Sequence, residues 1–231
     1  MKSTLELLAA MSANPWFGSL PLRERRAMLG ACELRRLHAG EMLFRQGDRV
    51  PPAAGAFYGL VAGAFKISSL REDGKEAILA VLEAGNWFGE ISLLDQQPRT
   101  HVATALGAAE VLVLPRATFD ALMERHAFAR AICRMLAART RALYGMVEDA
   151  TLRSTRARVA RRLLSLARGD ATLAGDARPA VPVSQEALAM MLGITRQTLS
   201  KELKALAARG AISLGYRRIE IVSLDRLGSA G

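Results

Sequence analysis

The residues best equipped for chemistry in this chain lie between Phe88 and Thr104. Gly89 lets a ligand approach the backbone closely. The amides from Gly89 onward, Ile91 included, open a short helical turn expected over Ile91–Leu94, an arrangement suited to anions. Glu90 has no evident cation beside it in the sequence and is free to accept hydrogen bonds from hydroxyls. Nine residues on, Arg99, stiffened by Pro98, offers a fork of donors that matches phosphate. A carboxylate for sugar hydroxyls and a guanidinium for phosphate read as a nucleotide site, although the same residues also fit an ordinary surface loop.

A second grouping begins at Ser184. Small Ala189, Gly193 four residues later, and apolar Leu188, Leu192, Ile194, Leu199 and Leu203 have the spacing of a helix-turn-helix. Thr195 is placed to cap the second helix, and Arg196, Gln197, Ser200 and Lys201 follow on its outward face, where base edges and phosphates would be met. Gly210 ends that helix, and Ile212 to Val222 reads as a two-stranded wing with Arg217 and Arg218 near its tip. With Ser184 and Thr195 these residues form the expected DNA-binding set.

Charge supports that division. The chain of 231 residues carries +10 overall; residues 1–152 hold 18 basic and 16 acidic side chains, residues 153–231 hold 14 and 6. A basic C-terminal third is the footprint of a polyanion binder, and the near-neutral remainder implies a different task. No apolar run approaches the roughly 18 residues of a membrane span. The apolar N-terminus is interrupted by Glu6 and followed by Asn14-Pro15-Trp16-Phe17, which reads as a helix stop, so a cytoplasmic protein is expected. Cys32 and Cys133 are too few and too far apart for a metal or iron-sulfur cluster. His38, His101 and His126 fall in unrelated elements without a nucleophile motif, so no enzyme is expected.

The elements that must position these residues follow from periodicity. Leu5–Met11 and Leu22–Cys32 have helical spacing. Strands are expected at Leu34–Leu37, Met42–Phe44, Ala56–Val61, Ala64–Leu70, Ala77–Leu82, Val102–Leu106 and Val111–Leu114, separated by Gly, Pro and Asp turns. Many short strands at this spacing predict an antiparallel sandwich or jelly-roll-like β-roll with a pocket between its sheets. Helices follow at Arg116–Arg125 and Ala127–Leu152. Along the latter, Cys133, Leu136, Thr140, Leu143, Val147 and Ala150 step by three and four, a heptad seam able to face a second copy. Ile132, Met135, Ala142 and Met146 widen the apolar face toward the helix's own roll. Ser154 caps a further helix, Thr155–Ala167, and Asp170 to Pro182 reads as a loop. The class is therefore α+β, with an effector domain at 1–126, a dimerisation helix at 127–152 and a DNA-binding domain at 153–231.

The run from Phe88 through Gly89, Glu90, Leu93, Leu94, Pro98, Arg99 and Thr100 resembles the phosphate-binding cassette of cyclic-nucleotide-binding domains. The resemblance implies that Glu90 holds a ribose hydroxyl and Arg99 the cyclic phosphate, with Gly89, Ser92 and Thr100 as further donors. Gln96 stands where a glycine is common, and His101 where the family has a small residue. The C-terminal segment resembles the winged helix-turn-helix of the CRP/FNR superfamily of transcription regulators. That likeness implies a homodimer on palindromic double-stranded DNA, with RNA polymerase as a further partner. Arg196 is kept, while Gln197 replaces a glutamate and Lys201 an arginine. Gln favours an adenine edge where Glu reads cytosine. In the family's cyclic-AMP-binding members the long helix sets a Thr-Ser pair against adenine; Leu143 and Tyr144 occupy those positions here. His101 adds a donor beside the phosphate. The expectation is either weak cyclic AMP binding or a different phosphorylated effector, with a cyclic dinucleotide such as cyclic di-GMP the main candidate and cyclic GMP a further one. A DNA-binding protein with a purely structural roll, and a nucleotide-binding regulatory subunit acting on a protein, are the alternatives.

Overall fold

The computed structural model describes residues 4–51, 55–170, 179–181, 183–215 and 218–230. Three helices lead the chain: α1 (Thr4–Ser12), α2 (Pro15–Gly18) and α3 (Leu22–Ala31). The segment expected as a helix stop is itself a helical turn. Asn14 Oδ1 accepts a hydrogen bond from the Trp16 amide at 2.9 Å, and Pro15 sits at a first-turn position that needs no N–H donor.

The roll is built from β1 (Glu33–Leu37), β2 (Met42–Phe44), β3 (Ala56–Ala62), β4 (Ala64–Leu70), β5 (Glu76–Glu83), β6 (Trp87–Phe88), β7 (Val102–Ala105) and β8 (Ala109–Pro115), with α4 (Ile91–Leu94) between β6 and β7. They form two four-stranded sheets, in the orders β1-β8-β3-β6 and β2-β7-β4-β5. The expected strands are all present, and β6 is added to them. Two residues are too short to show alternation, and β6 is held by pairing Tyr58 with Phe88 and Gly59 with Trp87. Gly59 has a packing reason: a Cβ there would lie 2.8 Å from the Trp87 ring.

Trp87 is the centre of this half's core. It stacks on Phe17 at 5.6 Å and packs beside Phe57, and Phe57, Phe119 and Phe128 continue the cluster edge to face. After α5 (Arg116–Met123), the long helix α6 (His126–Leu152) buries Phe128, Ala131, Ile132 and Met135. Trp16 Nε1 donates to the Ala131 carbonyl at 2.8 Å and ties the N-terminal helices to it. Further along, Leu143, Tyr144, Met146, Val147 and Leu152 are exposed apolar side chains.

The chain forms two compact units, residues 1–75 with 81–139, and residues 76–80 with 140–231. In the second unit, Ser154 caps α7 (Thr155–Ala167) by accepting from the Ala157 amide at 3.2 Å. Asp149, on the last turns of α6, takes Arg153 Nε on one oxygen and Arg161 Nε on the other, both at 2.8 Å, and so staples α6 to α7 across the helix break. Then come β9 (Ala180–Val181), α8 (Gln185–Leu192), α9 (Arg196–Ala208), β10 (Ile212–Gly215), β11 (Arg218–Ile221) and α10 (Leu224–Gly228). Most of the loop expected at 170–182 lies outside the described residues. Its end, however, is a strand: β9 pairs with β11, which pairs with β10, making a three-stranded sheet rather than a bare two-stranded wing. Among the described residues, no helix is long and apolar enough to cross a membrane.

Candidate effector cassette and nucleic-acid interface

Strand β6 delivers the chain to Gly89, whose φ of +93° favours glycine; a Cβ there would press on Tyr58 at 2.9 Å and Arg99 Nη1 at 3.2 Å. Glu90 follows, then Ile91 and Ser92 in α4, as the sequence predicts. The Glu90 side chain is only 1% exposed, and its environment differs from the sequence expectation. It is not free of cations: Arg139 of α6, 49 residues away, donates Nη1 to Glu90 Oε1 and Nη2 to the Trp87 carbonyl at 2.6 Å. The second oxygen, Oε2, is buried with no hydrogen-bond partner among the described residues. Arg139 is thus part of this site, and nothing in the sequence singles it out from Arg130, Arg134 and Arg141 on the same helix.

Arg99 is also buried, at 6% exposure. Its main chain is pinned on both sides, its amide donating to the Asp48 carbonyl and its carbonyl accepting from the Gly47 amide, each at 2.8 Å. Its guanidinium donates to the Gly89 carbonyl at 2.7 Å and the Ala56 carbonyl at 3.4 Å. It lies over the Phe44 ring at 4.4 Å and the Tyr58 ring at 5.6 Å. Burial pushes its pKa below the ordinary value, partly offset by Tyr58. The rings around it are joined to one another: Phe44 to Tyr58 and Phe88, Tyr58 to Phe88, and Phe88 to Phe65. Nearby, Ser92 donates weakly to the Pro98 carbonyl at 3.4 Å, and Thr100 Oγ1 meets His101 Nδ1 at 2.8 Å. Burial lowers the His101 pKa. The cassette therefore unites Gly89, Glu90 and Arg99 as predicted, with their polar groups turned toward the protein. Leu143 and Tyr144 are 60% and 72% exposed on α6.

The second site is built differently. Ser184 and Thr195 cap α8 and α9, accepting from the Ala187 and Thr198 amides at 3.1 Å. Gly193, at φ +63°, makes the turn between them. Arg158 of α7 donates to the Leu192 carbonyl at 2.6 Å and closes the end of α8. Leu199, Leu203 and Leu206 are fully buried and fix α9 by its inner face. Arg196, Gln197 and Lys201 are exposed on the outer face, with Ser200 half-buried beside them. Lys204 is exposed on the same face and went unnoticed in the sequence, because it lies more than two turns beyond the helix start. The one carboxylate of α9, Glu202, is taken by Arg156 at 2.8 Å. On the wing, Arg218 pairs with Glu220 at 2.7 Å; Arg217 lies outside the described residues.

Comparison with known proteins agrees with both halves. Residues 34–126 match the cyclic nucleotide-binding domain family, and residues 157–230 match the Crp-like helix-turn-helix domain family. A CRP-like cAMP-activated global transcriptional regulator of Mycobacterium tuberculosis is 30% identical over 81% of this chain and 83% of its own length. The cyclic AMP receptor protein of Thermus thermophilus is 31% identical over 91% of this chain and 94% of its own. A crystal structure of a CRP-family transcriptional regulator from Thermus thermophilus superposes with a TM-score of 0.65 at 28% identity, covering 84% of this chain and 94% of that one.

Proposed function

This chain belongs to the CRP/FNR family of transcription regulators, which are not enzymes, and from that premise we propose that it binds a palindromic operator as a homodimer under the control of a small phosphorylated effector. The observation that carries the DNA half is α9, whose inner leucines fix it while Arg196, Gln197, Lys201 and Lys204 stand exposed together. Two such helices on a two-fold axis would enter successive major grooves about 10 base pairs apart. The exposed apolar side chains Leu143 and Val147 of α6 support the subunit interface. Leu143→Asp would place an unpaired carboxylate in that seam, and light scattering should then report monomers. RNA polymerase is the expected protein partner, and the cytoplasm the expected location.

Glu90 and Arg99 support an effector with a phosphate beside a sugar hydroxyl, and the cyclic-AMP names of the relatives put cyclic AMP first among the candidates. Leu143 and Tyr144 in place of a Thr-Ser pair support weaker adenine reading, which keeps cyclic GMP and cyclic di-GMP in the panel. The inward-facing Glu90 and Arg99 favour one second reading, a DNA-binding protein whose roll is structural. Footprinting with each nucleotide decides between them. A protected palindrome that appears or strengthens with one nucleotide supports gating; protection indifferent to all three supports the structural roll.

A further inference from the structure

We propose that Phe44 and Tyr58 form an internal latch that holds the Arg99 guanidinium inside the roll, so that effector must displace these aromatic and carbonyl contacts before phosphate can be bound. The inference rests on the reading of the roll as an effector site. Four observations carry it. Arg99 is 6% exposed, its donors are engaged by the Gly89 and Ala56 carbonyls, and its flat face lies 4.4 Å from the Phe44 ring centre. Its main chain is fixed on both sides by Gly47 and Asp48, so a change of partner falls to side-chain rotation rather than to loop opening. Phe44 and Tyr58 are themselves braced by Phe88 and by one another, which keeps the latch in shape. Gly89 leaves open the space beside Arg99 Nη1 that a side chain would fill.

The latch sets a threshold. A ligand phosphate gains two charge-assisted hydrogen bonds from the guanidinium. It gives up the carbonyl bonds and the ring contacts that held the same group. Apparent affinity falls by the fraction of molecules in which Arg99 is released. A cation–π contact, from an exposed one to a desolvated one, shifts such an equilibrium by about 3- to 30-fold. Phe44, on β2, thereby becomes a sensitivity-determining residue that touches no part of the phosphate.

Phe44→Leu tests this with two readouts on the full chain. Phenylglyoxal modification of Arg99, followed by peptide mass, reports whether the guanidinium is released. Titration calorimetry with cyclic AMP reports the threshold. The variant should raise Arg99 reactivity and tighten cyclic AMP binding by about 3- to 30-fold; Tyr58→Leu, whose ring lies farther off, should do the same more weakly. Arg99 as protected in both variants as in the parent overturns the latch, as does raised reactivity with unchanged cyclic AMP affinity. Raised reactivity in a protein that binds no cyclic AMP, cyclic GMP or cyclic di-GMP leaves the latch standing and removes the nucleotide reading of the roll.

Discussion

The two sites of this chain treat their charged side chains in opposite ways. In the cassette, Glu90 and Arg99 are buried, and each is engaged by the protein, through Arg139 in one case and by main-chain carbonyls and aromatic rings in the other. On α9, Arg196, Gln197 and Lys201 are exposed, while the helix's carboxylate is drawn aside by Arg156. On the reading proposed above, the closed site would have to exchange partners before it took a ligand, whereas the open one already presents its charges. Regulation would then belong to the closed site, and the open one would need only to be presented in the right pair geometry.

The largest expected effect comes from breaking the closed half. Arg139→Ala strands Glu90, 1% exposed, without its cation, and should cost the N-terminal unit about 3 kcal/mol in urea denaturation. Pairing that change with Glu90→Gln should restore most of the loss, because the uncompensated charge is gone. If the single variant is as stable as the parent, the cassette is not held by this pair and the contrast between the sites weakens.

That pair also marks how far the sequence could be read. Helix starts were legible at Ser154 and Thr195 because a cap is a local matter of one hydroxyl and an amide three residues on. The strands were legible because turn residues divide them. The composition of the cassette was legible too, but not its state. Arg139 and Glu90 meet across 49 positions, and the direction in which Arg99 points depends on Phe44 and Tyr58 from other strands. The strands β6 and β9 were hidden for a related reason. Two residues carry no period, and pairing with β3 and β11 decides them.

On the open half, Arg196→Ala should weaken operator binding by about 1–3 kcal/mol if it reads a base, with stability unchanged. Gel-shift titration beside a denaturation curve checks both sides of that statement. Equal losses on specific and random DNA would move Arg196 from base reading to phosphate contact.

A smaller effect sharpens the cassette's turn. Gln96 adopts φ +58°, a left-handed conformation unfavourable for a side chain, at the position where the family resemblance expects glycine. Gln96→Gly relieves that strain and returns part of it as unfolded-chain entropy, for a net gain of about 0.5–1 kcal/mol by thermal denaturation. The smallest effect is on pH dependence. Burial acts to raise the Glu24 pKa, but hydrogen bonds from Arg125 and Arg23 outweigh it and hold the carboxyl below its ordinary value of 4.5. The unfolded chain then binds the proton more readily, so this contribution is complete above about pH 4.5 and is lost as pH falls through the depressed value. Arg125→Ala should flatten the acid limb of a stability profile without altering DNA binding.

The carboxylate of Asp149, shared between Arg153 and Arg161, has a consequence for how DNA binding responds to ionic strength. Both guanidiniums are well exposed, at 36% and 50%, and the screening length is about 8 Å at physiological salt. Added salt therefore loosens the joint between α6 and α7 over the same range in which it displaces the protein from phosphates. The two losses are superimposed in a single titration. A plot of log operator affinity against log salt will be steeper than counterion release alone requires, and its slope, taken at face value, will overcount the phosphates this protein touches.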